Sequence, residues 1–171
     1  MTAVPQTGTP KVGKSTQDGS RLSVGDATRT LALPQVPYAD AVHAALDAVA
    51  MPPEVIEVGV RANRPTAPEL FARCVWPVGS PLLDDEARAA GLTLAWSHVT
   101  GWTAHTAYDE AETLAVDVLA PPAVLAHAAL HMAEYGLHRP WQPPAGPARW
   151  SEAVYLDVAL GLFDEKDGPL W

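Results

Sequence analysis

The apolar residues of this chain change their repeat several times, and each change marks an element. Tyr38, Val42, Ala45, Leu46 and Val49 recur at steps of three and four, with Asp40 and Asp47 elsewhere around the wheel, so a helix opens at Pro37. Pro52 and Pro53 stop it. The repeat then shortens to two: Ile56, Val58 and Val60 alternate with Glu57, Gly59 and Arg61, as in a strand with two unlike faces. A Pro/Asn turn over 63–68 leads to a second strand-like run over 70–76, closed by Pro77. Residues 84–90 predict a short helix ending at Gly91.

Alternation is sharpest in the middle of the chain. Leu92, Leu94 and Trp96 alternate with Thr93, Ala95 and Ser97; Thr100-Gly101 turns the chain, and Trp102, Ala104, Thr106 and Tyr108 alternate again. This predicts a β-hairpin, with His98 and His105 on opposite faces. Leu114, Val116 and Val118 predict a further strand. Pro121-Pro122 starts a helix running to Tyr135, with Gly136 placed for a left-handed cap. Pro140, Pro143, Pro144 and Pro147 forbid regular structure beyond it. Ser151 then caps a last helix to about residue 163, with Val154, Tyr155, Val158, Ala159, Leu162 and Phe163 on one broad stripe. Strands joined by short turns, with helices before and after, predict an α+β fold: an antiparallel sheet of about five strands with helices packed on one face.

Composition adds boundaries. The length of 171 residues suits one domain, and 48% apolar residues suffice to fill its core. Residues 1–33 are rich in Gly, Ser, Thr and Pro and read as a disordered tail; 34–136 form the α+β core domain; 137–171 form a Pro/Trp-rich linker and C-terminal helix. The net charge of −9 divides unevenly: Lys11, Lys14, Arg21 and Arg29 against Asp18 and Asp26 make the tail +2 and leave −11 for the body. That balance works against gripping nucleic acid. Neither a secretory signal nor the roughly 18 apolar residues of a membrane span is present, which predicts a cytoplasmic protein without membrane contact. Cys74 is the only cysteine, which excludes an intrachain disulfide and a Cys-rich zinc site.

Four features invite chemistry. Gly8 to Ser15 fits the P-loop pattern G-x-x-x-x-G-K-[ST], yet no buried strand precedes it and no good helix former follows, so it reads as a chance match in a biased tail. His127, His131 and Glu134 share one side of a helix, with His138 nominally continuing it. Two His one turn apart and a carboxylate suit a divalent metal, but Ala128 stands where a zincin needs its glutamate. Cys74 lies within a strand and reads as a buried, inert thiol. The acidic groups Asp84-Asp85-Glu86, Asp109-Glu110-Glu112 and Asp164-Glu165-Asp167 read as solvated loop charge that favours a basic partner.

Three blocks carry a resemblance: Pro37 to Leu46 (PYADAVHAAL), Gly91 to Ala104 (GLTLAWSHVTGWTA) and Pro121 to Ala126 (PPAVLA). Over about 37–136 the chain resembles a family of small uncharacterised actinobacterial proteins with an opening helix, a LxLxW…GW hairpin and a Pro-initiated closing helix. The resemblance implies that architecture and transfers no functional residue. The residues themselves predict a non-catalytic cytoplasmic protein-interaction or regulatory protein with an acidic surface and no cofactor. Its partner is a protein of basic character or a second copy, met through Trp141, Trp150, Tyr155, Phe163 and Trp171 or through a sheet edge. The alternative is a small metal-dependent enzyme using His127, His131 and Glu134.

Overall fold

Helix α1 (Val36–Ala48) leads to strands β1 (Val55–Arg61) and β2 (Glu69–Trp76), helix α2 (Asp85–Ala90) and strands β3 (Leu92–Ser97), β4 (Gly101–His105) and β5 (Ala111–Thr113). Helices α3 (Pro122–Tyr135) and α4 (Ala153–Asp167) follow. The computed structural model describes residues 33–61 and 68–167; the Gly8 to Ser15 motif, the N-terminal segment but for Leu33, most of the 63–68 turn and Trp171 lie outside the described residues. The strands pair antiparallel, each with the next, in the order β1-β2-β3-β4-β5. The fold is α+β.

Alternation decides which face is covered. Leu70, Ala72, Cys74 and Trp76 of β2 line up with Leu92, Leu94 and Trp96 of β3 and with Trp102 and Ala104 of β4, and all of them are buried. Tyr38, Val42 and Leu46 of α1 and Leu125, Ala128, Ala129 and Met132 of α3 close over that face. Each large apolar side chain buried there contributes about 1.5–3 kcal/mol. The alanines of α3 leave room for it to lie against both α1 and the sheet. The opposite face carries Glu57, Arg73, Thr93, Thr103 and His105.

The hairpin turns over three residues rather than two. Ser97 pairs with Gly101, so His98, Val99 and Thr100 form the loop, and Gly101 takes φ +75°, a conformation that costs glycine no Cβ clash. The Ser97 hydroxyl accepts from the amides of Val99 and Thr100 at 3.1 and 3.3 Å.

The strand expected over 114–118 is displaced. Ala111–Thr113 pairs with β4, and residues 114–121 cross the end of the sheet as a loop. Its carbonyls serve side chains and a distant backbone amide instead of a ladder. Val118 accepts from the Trp96 indole at 2.7 Å, Ala120 from the Tyr38 hydroxyl at 2.7 Å, and Leu119 from the Trp150 amide at 2.7 Å. Asp117 accepts from the Leu119 amide at 2.8 Å and shapes the turn. Among the described residues, no helix is long and apolar enough to cross a membrane.

Candidate protein-binding face

Helix α4 is attached to the body at both ends. At its start, Arg149 bridges Asp117 at 3.0 Å and Asp157 at 2.9 Å, while the Trp150 ring lies 5.0 Å from that of Tyr38. Tyr38 is a junction: its hydroxyl also accepts from the Trp102 indole at 3.1 Å, and its ring meets Trp96 and Trp102 edge-on at 5.9 and 6.1 Å. Burial of this hydroxyl raises its pKa above the ordinary phenolic value, so it remains a donor.

At the other end of α4 the hairpin loop supplies the anchor. His98 Nδ1 accepts the Leu70 amide at 3.0 Å, which leaves the ring proton on Nε2 to donate to Asp164 Oδ1 at 3.2 Å. The Phe163 ring meets the imidazole edge-on at 5.7 Å. Between the anchors Ala153 and Leu156 are buried, and Ala159, Leu160 and Phe163 are half-buried.

The other side of the helix is bare. Val154, Tyr155, Val158 and Leu162 fall on one arc of about 100°, and their exposure runs from 54% at Leu162 to 77% at Tyr155. Glu152, Asp157, Asp164 and Glu165 border this stripe. A hollow of about 230 Å³ lined by Pro34, Pro37, Tyr38, Trp150, Tyr155 and Leu156 lies beside it. Such an arrangement offers apolar contact ringed by negative charge and holds no constellation for bond-making chemistry.

The tryptophans expected at an interface are distributed differently. Trp141 is buried, its indole donating to His127 Nδ1 at 2.9 Å, and Trp150 packs on Tyr38, so both hold the Pro-rich segment to the body. Phe163 faces inward. Of the five residues expected to bind, Tyr155 is the one that stands exposed among those described. Val154, Val158 and Leu162 belong with it, and the i, i+4, i+8 spacing was their signal.

The helix stripe of α3 has a structural occupation. His127 serves Trp141, and His131 Nε2 donates to the Arg139 carbonyl at 3.1 Å, while the Arg139 guanidinium lies 4.3 Å from the Tyr135 ring centre. His138 pairs with Glu86 at 3.5 Å, away from this side. Among the described residues no group of three or more His, Cys, Asp and Glu is placed to hold a metal, so His127, His131 and Glu134 do not form a ligand set. Burial pushes the Cys74 thiol up to about 12, which leaves it without thiolate character near neutrality.

Polar residues of the open sheet face form pairs that the order of residues along the chain does not reveal. Glu69 is buried; Arg61 holds it with two hydrogen bonds of 2.9 and 3.2 Å, and the Ser97 hydroxyl donates to it. Glu57 pairs with Arg73 at 2.8 Å. His105 sits beyond them, its pKa lowered by burial and by the Arg73 and Arg61 guanidiniums. Compared with known family models, curated proteins and solved structures, the chain matches none.

Proposed function

We propose that this chain is a non-catalytic, cytoplasmic protein-interaction or regulatory protein whose contact face is the outward side of α4. The observation that carries this reading is the row Val154, Tyr155, Val158 and Leu162, left exposed on a helix that is anchored at both ends. A fixed helix presents its apolar residues at spacings suited to a groove, with little ordering cost on binding. The acidic border fits a partner whose groove is rimmed by Lys and Arg. Histidines that would suit catalysis are engaged elsewhere: His127 with Trp141, His131 with the Arg139 carbonyl and His98 with Asp164. The resemblance over 37–136 adds no functional residue, so the reading rests on the chain itself.

The test compares the wild-type chain with a Val158→Asp/Leu162→Asp variant as affinity baits, with quantitative mass spectrometry of retained proteins. A protein held by the wild type, lost from the variant, and bound directly by the purified wild type supports the reading. Identical retained sets from two equally folded baits would remove it.

A further inference from the structure

Strand β1 is an edge of the sheet, and among the described residues nothing pairs with its outer side. Leu70 turns both backbone groups towards the β3 hairpin, its amide to His98 Nδ1 at 3.0 Å and its carbonyl to the His98 amide at 3.3 Å. Backbone direction alternates along a strand, so Phe71 turns towards β1, where it faces Gly59. Ile56, Val58 and Val60 therefore direct their N–H and C=O groups away from the sheet. The strand runs seven residues, longer than the usual five or so, and holds no proline or lysine. Ile56 and Val60 on its helix-side face remain 37% and 44% exposed, because the helices do not reach this edge. An edge of this kind is a template for a further strand.

Its charges select that strand. Glu57 and Arg61 lie on the open face, four residues apart with Gly59 midway, and each already meets an opposite charge on β2: Arg73 and Glu69. We propose that β1 pairs with β1 of a second copy, antiparallel about a two-fold axis at Gly59, so that two five-stranded sheets become one. In this register Val58 of each copy faces Val60 of the other, and both use their outward amides. Glu57 of each copy faces Arg61 of the other. Across the junction the row reads Arg73, Glu57, then the second copy's Arg61 and Glu69, alternating in sign at every step. Pairing Val58 with itself instead would set each Glu57 opposite Gly59 and forfeit both direct charge pairs. A slip by one residue would turn the apolar side chains of one copy onto the polar face of the other. At the axis Gly59 brings no side chain, and the Phe71 ring already covers it: a Cβ there would lie 3.1 Å from Phe71 Cε1. This surface is separate from α4, and the two proposals stand or fall independently.

Sedimentation velocity on the full chain over a concentration series tests the pairing. The expected result is a reversible monomer–dimer equilibrium. Glu57→Lys and Arg61→Glu should each shift it to monomer, because each sets like charges face to face. An equimolar mixture of the two variants should regain the dimer, since in the mixed pair every charge meets its opposite. Both substitutions leave the fold intact, because the Glu57–Arg73 pair is exposed and Arg61 is itself largely at the surface. Val58→Pro should also abolish the dimer, with an unchanged far-UV circular dichroism spectrum, because the N–H it removes points outward. A wild-type chain that stays monomeric throughout overturns the proposal. So does a dimer that ignores these substitutions, one lost only in Val158→Asp, or a mixture that fails to restore association.

Discussion

Helices α3 and α4 draw on much the same apolar residues, yet α3 buries Leu125, Ala126, Ala128, Ala129, Met132 and Ala133 while α4 buries Ala153 and Leu156. The difference lies in their neighbours. One side of α3 meets α1 and the sheet, and another is capped by the 137–141 segment through His127 and His131. Helix α4 rests on a single strip formed by Tyr38, Trp150 and the hairpin loop. Its apolar arc is wider than that strip, and the surplus faces outward. Amphipathic width is thus a property of the helix, whereas coverage is a property of what surrounds it. A surplus of this size on a well-anchored helix is where a partner would be expected.

The comparison breaks most readily under one chemical change made twice. Leu125→Ala should destabilise the fold by about 2–5 kcal/mol, the cost of a cavity under α3. Leu162→Ala should stay within about 0.5 kcal/mol, as for an exposed position. Urea denaturation followed by tryptophan fluorescence measures both, and similar losses at the two positions would mean that the α4 stripe is covered in solution. Tyr38→Phe sharpens the contrast at the strip beneath α4. It removes the donor to the Ala120 carbonyl and the acceptor for the Trp102 indole, so about 1–3 kcal/mol should be lost in the same measurement.

A smaller effect is expected where the linker meets α3. Trp141→Phe keeps the ring but leaves His127 Nδ1 without its donor, for a loss of about 0.5–1.5 kcal/mol. Amide exchange should quicken in 137–147 and remain slow within α3 itself; equal acceleration in both would show that the linker and helix open together. The smallest effect concerns pH. The folded chain lowers the pKa of His105 through burial and the Arg73 and Arg61 charges, so the unfolded chain takes up this proton first on acidification. Stability should be unaffected by His105 well above the ordinary imidazole value of about 6.5, and should fall as the pH drops below it. His105→Gln should flatten that part of the stability profile, and an unchanged slope would show that the proton is taken up elsewhere.

Several elements were legible because their cause is local. Pro37, Pro52, Pro122 and Gly136 bound α1 and α3 closely. The Leu92, Leu94, Trp96 alternation placed those side chains on one face, with Trp102 and Ala104 beside them. Other features were hidden because their partners lie far along the chain. The apolar alternation of Leu114, Val116 and Val118 suggests a strand, but the backbone there is claimed by Trp96, Tyr38 and Trp150, whose positions depend on the assembled core. Trp141 and Trp150 read as surface aromatics next to prolines, and tertiary contact turned them inward. The ion pairs Glu57–Arg73 and Arg61–Glu69 required the β1–β2 register before they could be seen at all.

The sequence by itself determined the kinds of element and the faces they present, because side-chain direction follows from a backbone repeat of two or of 3.6 residues. The same local rule put Val154, Val158 and Leu162 on one side of a helix and Glu57 and Arg61 on one side of a strand. Tertiary structure decided which faces are covered. It buried Trp141, employed His127 and His131 as ties for the linker, left half of the α4 stripe bare and set β1 at an unpaired edge. Coverage depends on the summed placement of distant neighbours, and no repeat within a single segment records it.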